Sequence, residues 1–110
     1  MNTKLSILCV DDEPLNLMLL GFHFESKFNF FSAGSGSAGL EILKSHPEIK
    51  IVLSDMKMPG MNGLEFITKA KQEFPHIIYI ILTGFDITEE IQNAITDHLI
   101  HKYFRKPYNI

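Results

Sequence analysis

Four short segments of this 110-residue chain carry side chains able to do chemistry: Asp11-Asp12-Glu13, Asp55, Thr83-Gly84 and Lys106-Pro107. Each stands where an apolar run stops. Taken singly, most have ordinary explanations: an Asp-Asp pair commonly caps a helix, a threonine after a strand closes a turn, and a lysine before proline is a solvated charge. Asp55 demands more, because a carboxylate leaving the apolar run "IVLSD" is costly to bury unless it is paired or bound to a metal. Crowded aspartates repel one another, and a divalent cation relieves that repulsion. Oxygen-only ligands without a dedicated cage suit Mg²⁺, which shares its shell with waters and a phosphoryl group. One carboxylate can then act as a nucleophile towards phosphorus. The Thr83 hydroxyl and the Lys106 ammonium are donors of the right kind for the charge on the phosphoryl oxygens. The set is a complete inventory for phosphoryl transfer to a carboxylate.

The elements that must position these groups alternate along the chain. Strands are expected over residues 5–10 ("LSILCV"), 28–32 ("FNFFS"), 50–54 ("KIVLS"), 78–82 ("IYIIL") and 101–105 ("HKYFR"). The first, third and fourth are near-continuous in Leu, Ile and Val, as parallel strands covered on both faces require. Helical segments lie between them. Pro14 suits a first helical position. Asn62 or Gly63 begins a helix with a core face of Leu64, Ile67, Ala70 and Phe74. Asp86 with Glu89 reads as a capping-box variant, followed by an apolar stripe of Ile87, Ile91, Ala94 and Ile95. Strand–helix alternation implies right-handed crossovers and a parallel sheet, and such sheets bind ligands at the carboxyl ends of their strands. The four polar segments all fall at that edge.

Composition narrows the class. Hydrophobic residues make up 45% and charged residues 21% of the chain, as in an ordinary globular protein, and the length suits one domain with one core. The formal charge is -3 with no block of Lys or Arg, which argues against direct nucleic-acid binding by this domain. No stretch approaches the roughly 18 apolar residues that span a membrane, and no secretory signal is visible, so the cytoplasm is the expected location. Cys9 is the single cysteine and reads as a small core residue. The five histidines (His23, His46, His76, His98, His101) stand away from the strand exits and read as surface or partly packed residues. Met56, Met58 and Met61 have no Cys or His beside them, so packing of the loop or a contact surface is expected rather than soft-metal binding. Phe28, Phe30 and Phe31 read as strand and core residues. Gly34, Gly36 and Gly39 lack the acidic partner of a dinucleotide fingerprint.

The segments "ILCVDDEPLN", "AGSGSAGLEIL", "IVLSDMKMPGMNG", "IIYIILTG" and "YFRKP" together resemble the receiver domain of two-component response regulators, from about Leu5 to Tyr108. The resemblance implies a flavodoxin-like, doubly wound five-stranded parallel sheet in the order 2-1-3-4-5. It implies that Asp55 accepts a phosphoryl group from a sensor histidine kinase or a histidine phosphotransfer protein. Asp12 would ligate Mg²⁺ directly, Asp11 would help through water, and Asp55 and the Lys57 backbone carbonyl would complete the set. Thr83 would bind a phosphoryl oxygen, Lys106 would pair with the phosphoryl group, and Tyr103 would be the switch aromatic, with Gly84 leaving it room. Pro107 would follow a cis peptide bond. The output surface would include Glu89, Glu90, His101 and Lys102.

The chain departs from the family pattern after Pro107, where a fifth helix usually follows; here the final helix is missing. The first helix, "PLNLMLLGFHFES", is apolar almost all round, so an exposed apolar patch is expected. Three explanations are open: a C-terminally truncated single receiver domain (residues 1–110) from a longer protein, a short variant that forms a homodimer through this face, or a domain-swapped form. Lys57, two residues after the acceptor, could lean over the phosphoryl group and obstruct the attacking water. The function expected is a switch that catalyses its own modification and has no separate turnover substrate. The alternatives are a phosphorylation-independent interaction module on the same fold and an aspartate-nucleophile phosphatase. The phosphatase class places an aspartate two residues after its nucleophile, where this chain has Lys57.

Overall fold

Apolar runs and helix-periodic segments alternate along the chain, and they fold as strands and helices in that order. A computed structural model describes residues 4–84 and 88–105. The elements are β1 (Leu5–Val10), α1 (Pro14–Phe24), β2 (Phe28–Ala33), α2 (Gly36–Ser45), β3 (Ile49–Asp55), α3 (Gly63–Glu73), β4 (Ile78–Thr83), α4 (Glu89–Thr96) and β5 (Lys102–Arg105). The strands make one parallel sheet ordered β2-β1-β3-β4-β5, the order expected.

Alternation along the strands divides the core between the two sheet faces. Leu8, Val10, Val52, Tyr79 and Ile81 pack into a large cluster with Leu43 of α2, Phe66 and Ile67 of α3, and Ile91 of α4. Ile7, Cys9, Leu53 and Leu82 face the other way, against Leu20 and Phe24 of α1. Each fully buried aliphatic side chain of this kind contributes about 1.5–3 kcal/mol. Among the described residues α1 is the one helix in the second cluster. Its outward face carries Leu15, Met18, Leu19 and Phe22, all between 50% and 68% exposed, so the expected apolar patch is present.

Several boundaries differ from the sequence expectation for identifiable reasons. β2 extends to Ala33 because Ala33 pairs with Val10, and β4 takes in Thr83, which pairs with Arg105. β5 starts at Lys102, since His101 makes a different contact. Its N–H donates to the Tyr79 carbonyl at 2.8 Å, and its Nδ1 accepts the Tyr79 N–H at 3.2 Å. Asp86 lies outside the described residues. The N-cap of α4 is Thr88, whose hydroxyl accepts the Ile91 N–H at 3.2 Å, so the capping-box reading is corrected. Ile91 and Ala94 of the expected stripe are buried, and Ile87 lies outside the described residues. Phe74 is only the half-buried C-cap of α3, whereas Phe66, unanticipated on that helix, is fully buried.

Two close approaches depend on glycine. A Cβ on Gly63 would lie 2.3 Å from the Asp55 carbonyl oxygen, so the start of α3 can reach the end of β3 only without a side chain. On α2, a Cβ on Gly39 would come within 3.1 Å of the Phe66 ring, and one on Gly36 within 2.7 Å of Met61 Sδ. These glycines are helix-packing residues that seat α3 and its preceding loop.

Gly63→Ala is therefore expected to cost about 3 kcal/mol, the upper range for overpacking a rigid contact, read as a lowered urea midpoint at unchanged m-value. A second expectation concerns alkaline pH. Burial, reinforced by the Asp11 charge, pushes the Cys9 thiol up from 9.0 to about 12, and burial also raises the Tyr79 phenol above its ordinary 10.0. Below pH 9.0 the thiol is protonated in both states and stability is undiminished. Above that value the unfolded chain releases a proton that the native state retains, so stability falls as pH rises. Between pH 9.0 and 10.0 the thiol contributes up to about 1.4 kcal/mol per pH unit, and Tyr79 adds to the loss above. Denaturant midpoints across this window should show the decline in the wild type and a flatter profile in Cys9→Ala.

Candidate functional site

Sheet register brings the predicted residues to one edge. Val10 pairs with Ser54, so Asp11 emerges beside Asp55. Asp55 pairs with Leu82, so Thr83 emerges one position further on β4. Carboxylate oxygens of Asp11, Asp12 and Asp55 all lie within 4.8 Å of one another. Asp11 and Asp55 are 1% and 7% exposed, Thr83 is 1% exposed, and Asp12 opens to solvent.

Local hydrogen bonds hold this edge in place. The Asp11 N–H continues the sheet by donating to the Ala33 carbonyl at 3.1 Å. Its Oδ1 accepts the Glu13 N–H at 2.9 Å in an Asx turn, and its Oδ2 accepts from Asn16 Nδ2 at 3.2 Å. On β3, the buried Ser54 hydroxyl donates to the Asp55 carbonyl at 3.0 Å.

The loop after Asp55 is clasped at both ends. The Met56 N–H donates to the Leu82 carbonyl at 2.9 Å, and the Met56 carbonyl accepts the Gly63 N–H at 2.8 Å. At its tip, Gly60 has φ +79 and the Met61 N–H donates to the Pro59 carbonyl at 3.0 Å, which makes a γ-turn that requires glycine. Asn62 and Glu65 exchange bonds of 2.9 Å in a capping box that opens α3. Met58 is buried and Met61 packs on Gly36, so the methionines anchor the loop.

Beside the acidic cluster lies a cleft of about 320 Å³ lined by Lys57, Thr83 and Thr88, with apolar walls from Met56, Met58 and Ile91. The Lys57 side chain is exposed. Gly84 is exposed, and a Cβ there would meet no atom within 4 Å. Tyr103 is half-buried against the larger core cluster, opposite Ile81. Lys106 and Pro107 lie outside the described residues. The sequence reading missed Asn16, Ser54 and Thr88. Asn16 and Thr88 sit at helix starts, where a polar residue is ordinary, and nothing in the sequence links them to the strand edges.

The donor set tests well for a metal. Three oxygen ligands at one rim, one of them open to solvent, suit a hard divalent cation that retains waters. No helix among the described residues is long and apolar enough to cross a membrane.

The chain is 35% identical over 112 residues to sporulation initiation phosphotransferase F of Bacillus subtilis, covering 100% of this chain and 86% of that one. A response regulator receiver domain from Clostridium thermocellum superposes with a TM-score of 0.83 at 33% identity, covering 94% of this chain and 83% of the other. The adenylate cyclase structure from Rhodopirellula baltica gives a TM-score of 0.93 at 29% identity, covering 98% and 80%. Other relatives are much longer: the chain spans 21% of the hydrogenase transcriptional regulatory protein HoxA of Cupriavidus necator (27% identical, 94% of this chain). It likewise spans 28% of the cyclic di-GMP phosphodiesterase of Thermotoga maritima. The model of the response regulator receiver domain matches residues 7–110, and with the sheet order and the acidic edge already described, the chain belongs to that family of two-component signalling domains.

Proposed function

We propose that this receiver domain, spanning residues 1–110, is phosphorylated on Asp55 by a sensor histidine kinase or a histidine phosphotransfer protein and acts as a conformational switch. The observation that carries the reading is the gathering of the Asp11, Asp12 and Asp55 carboxylates within 4.8 Å, with buried Thr83 emerging on the adjacent strand. Asp11, Asp12, Asp55 and the Lys57 carbonyl would hold Mg²⁺. When bound, the ion would supply positive charge that offsets both the carboxylates and the phosphoryl oxygens.

In the transfer step an Asp55 carboxylate oxygen forms a bond to phosphorus as the phosphorus–nitrogen bond to the donor imidazole breaks. The imidazole leaves with the electron pair. Thr83 donates its hydroxyl to a phosphoryl oxygen, and Lys106 supplies a cation to another. Phosphorylation then biases an equilibrium between two arrangements of Thr83 and Tyr103, with Gly84 giving the ring room. Glu89, Glu90, His101 and Lys102 are exposed on α4 and at β5, which supports their use in contacting a target. The domain modifies only itself, and its output passes through partner proteins. Lys57 stands where the aspartate-nucleophile phosphatases place their acid, which supports the switch over that alternative.

Incubation with Mg²⁺ and acetyl phosphate, followed by intact-mass measurement, should show one added phosphoryl group on the wild type and none on Asp55→Asn. A wild type that gains no mass and binds no Mg²⁺ would sink the reading. Lys57 lines the cleft next to Thr83, where its side chain can screen the acyl phosphate from water. Lys57→Ala should therefore lose its phosphoryl group several-fold faster, measured by the decay of the mass adduct after donor removal; an unchanged half-life would exclude the screening role.

A further inference from the structure

We propose that Asn16 is a positioning residue for the acidic centre, setting the orientation of Asp11 and through it the affinity for Mg²⁺; the inference rests on the reading of Asp11 as part of the metal centre.

Asp11 is 1% exposed, so its carboxylate depends on protein donors for its orientation. Two donors come from the chain that follows it. The Glu13 N–H bonds Oδ1 at 2.9 Å, and Asn16 Nδ2 bonds Oδ2 at 3.2 Å. The first is a backbone contact that any residue at position 13 other than proline would make. The second is a choice made by the side chain. Rotation of an aspartate carboxylate about its last torsion is broad, so a donor on each oxygen restricts it where one donor alone would not.

The chemistry of the amide is suited to the task. A lysine or arginine here would cancel charge that a cation needs, and an acidic residue would repel Asp11. An amide donates a hydrogen bond and leaves the net charge of the cluster intact. Its placement is also rigid. Pro14 opens α1 with its φ fixed by the ring, and Asn16 follows two residues later on the first turn. The helix start thus holds the Asp11 carboxylate. Contacts of this kind, one bond removed from a ligand, typically change metal affinity by 10–100-fold.

The test is calorimetric titration of the 110-residue chain with Mg²⁺ alone, paired with urea denaturation in EDTA. Asn16→Leu keeps the size, favours the helix more strongly and removes the donor; Asn16→Gln keeps the amide on a stem one methylene longer. The expected result is a roughly 10-fold weaker Mg²⁺ affinity for Asn16→Leu, with the metal-free urea midpoint close to wild type, and substantial recovery in Asn16→Gln. Asn16→Ala serves as a second donor-free variant should the leucine disturb folding. Wild-type affinity in both donor-free variants overturns the proposal. So does a loss that Asn16→Gln fails to restore, which marks a packing role. A wild type that binds no Mg²⁺ removes the metal-centre reading itself, an outcome distinct from normal wild-type binding with unaffected variants.

Discussion

Three carboxylates within 4.8 Å of one another repel, and the molecule is arranged so that they cannot move apart. The opposing force lies elsewhere, in the burial of β1, β3 and β4 between layers of helix. Because all the strands run in one direction, their carboxyl ends share an edge, and a cluster assembled from positions 11, 12 and 55 follows from the pairing of Val10 with Ser54. The fold supplies the stability, and the edge gathers negative charge that a cation would offset.

The loop after Asp55 is held as firmly as the strand. Clasping by Met56 at one end and the capping box at Asn62 at the other leaves the tip to a γ-turn at Gly60. Gly63 lets α3 begin against the Asp55 carbonyl, and Gly36 and Gly39 let Met61 and Phe66 nest on α2. A network of close backbone approaches thus fixes the residues that follow Asp55. The cleft between this loop and the start of α4, bounded by Lys57, Thr83 and Thr88, is a consequence of that geometry.

Helix α1 has two dissimilar ends to its role. Its first turn carries Asn16 against Asp11, while its body covers Ile7, Cys9, Leu53 and Leu82 and presents Leu15, Met18, Leu19 and Phe22 outward. A helix without an acidic or basic residue other than His23 between Pro14 and Phe24 can be buried on two sides. This absence of charge made the exposed patch readable from the sequence.

Much of the molecule was legible in the chain because hydrophobic patterning is local. The near-continuous runs in β1, β3 and β4, the proline that opens α1 and the Asn62 that caps α3 all announce themselves over a few residues. The candidate residues Asp11, Asp12, Asp55 and Thr83 were legible too, since a polar group ending an apolar run is itself a local signal. The contacts that join distant segments were not. Thr88 took the cap expected of Asp86, Phe66 filled the core beside a half-buried Phe74, His101 turned its ring to the Tyr79 backbone, and Asn16 found Asp11. The sequence by itself determined which elements form and which residues stand at their ends. Only the tertiary structure decided which oxygens come within reach of one another, because register and helix seating are settled by packing across the sheet and not by any stretch of neighbouring residues.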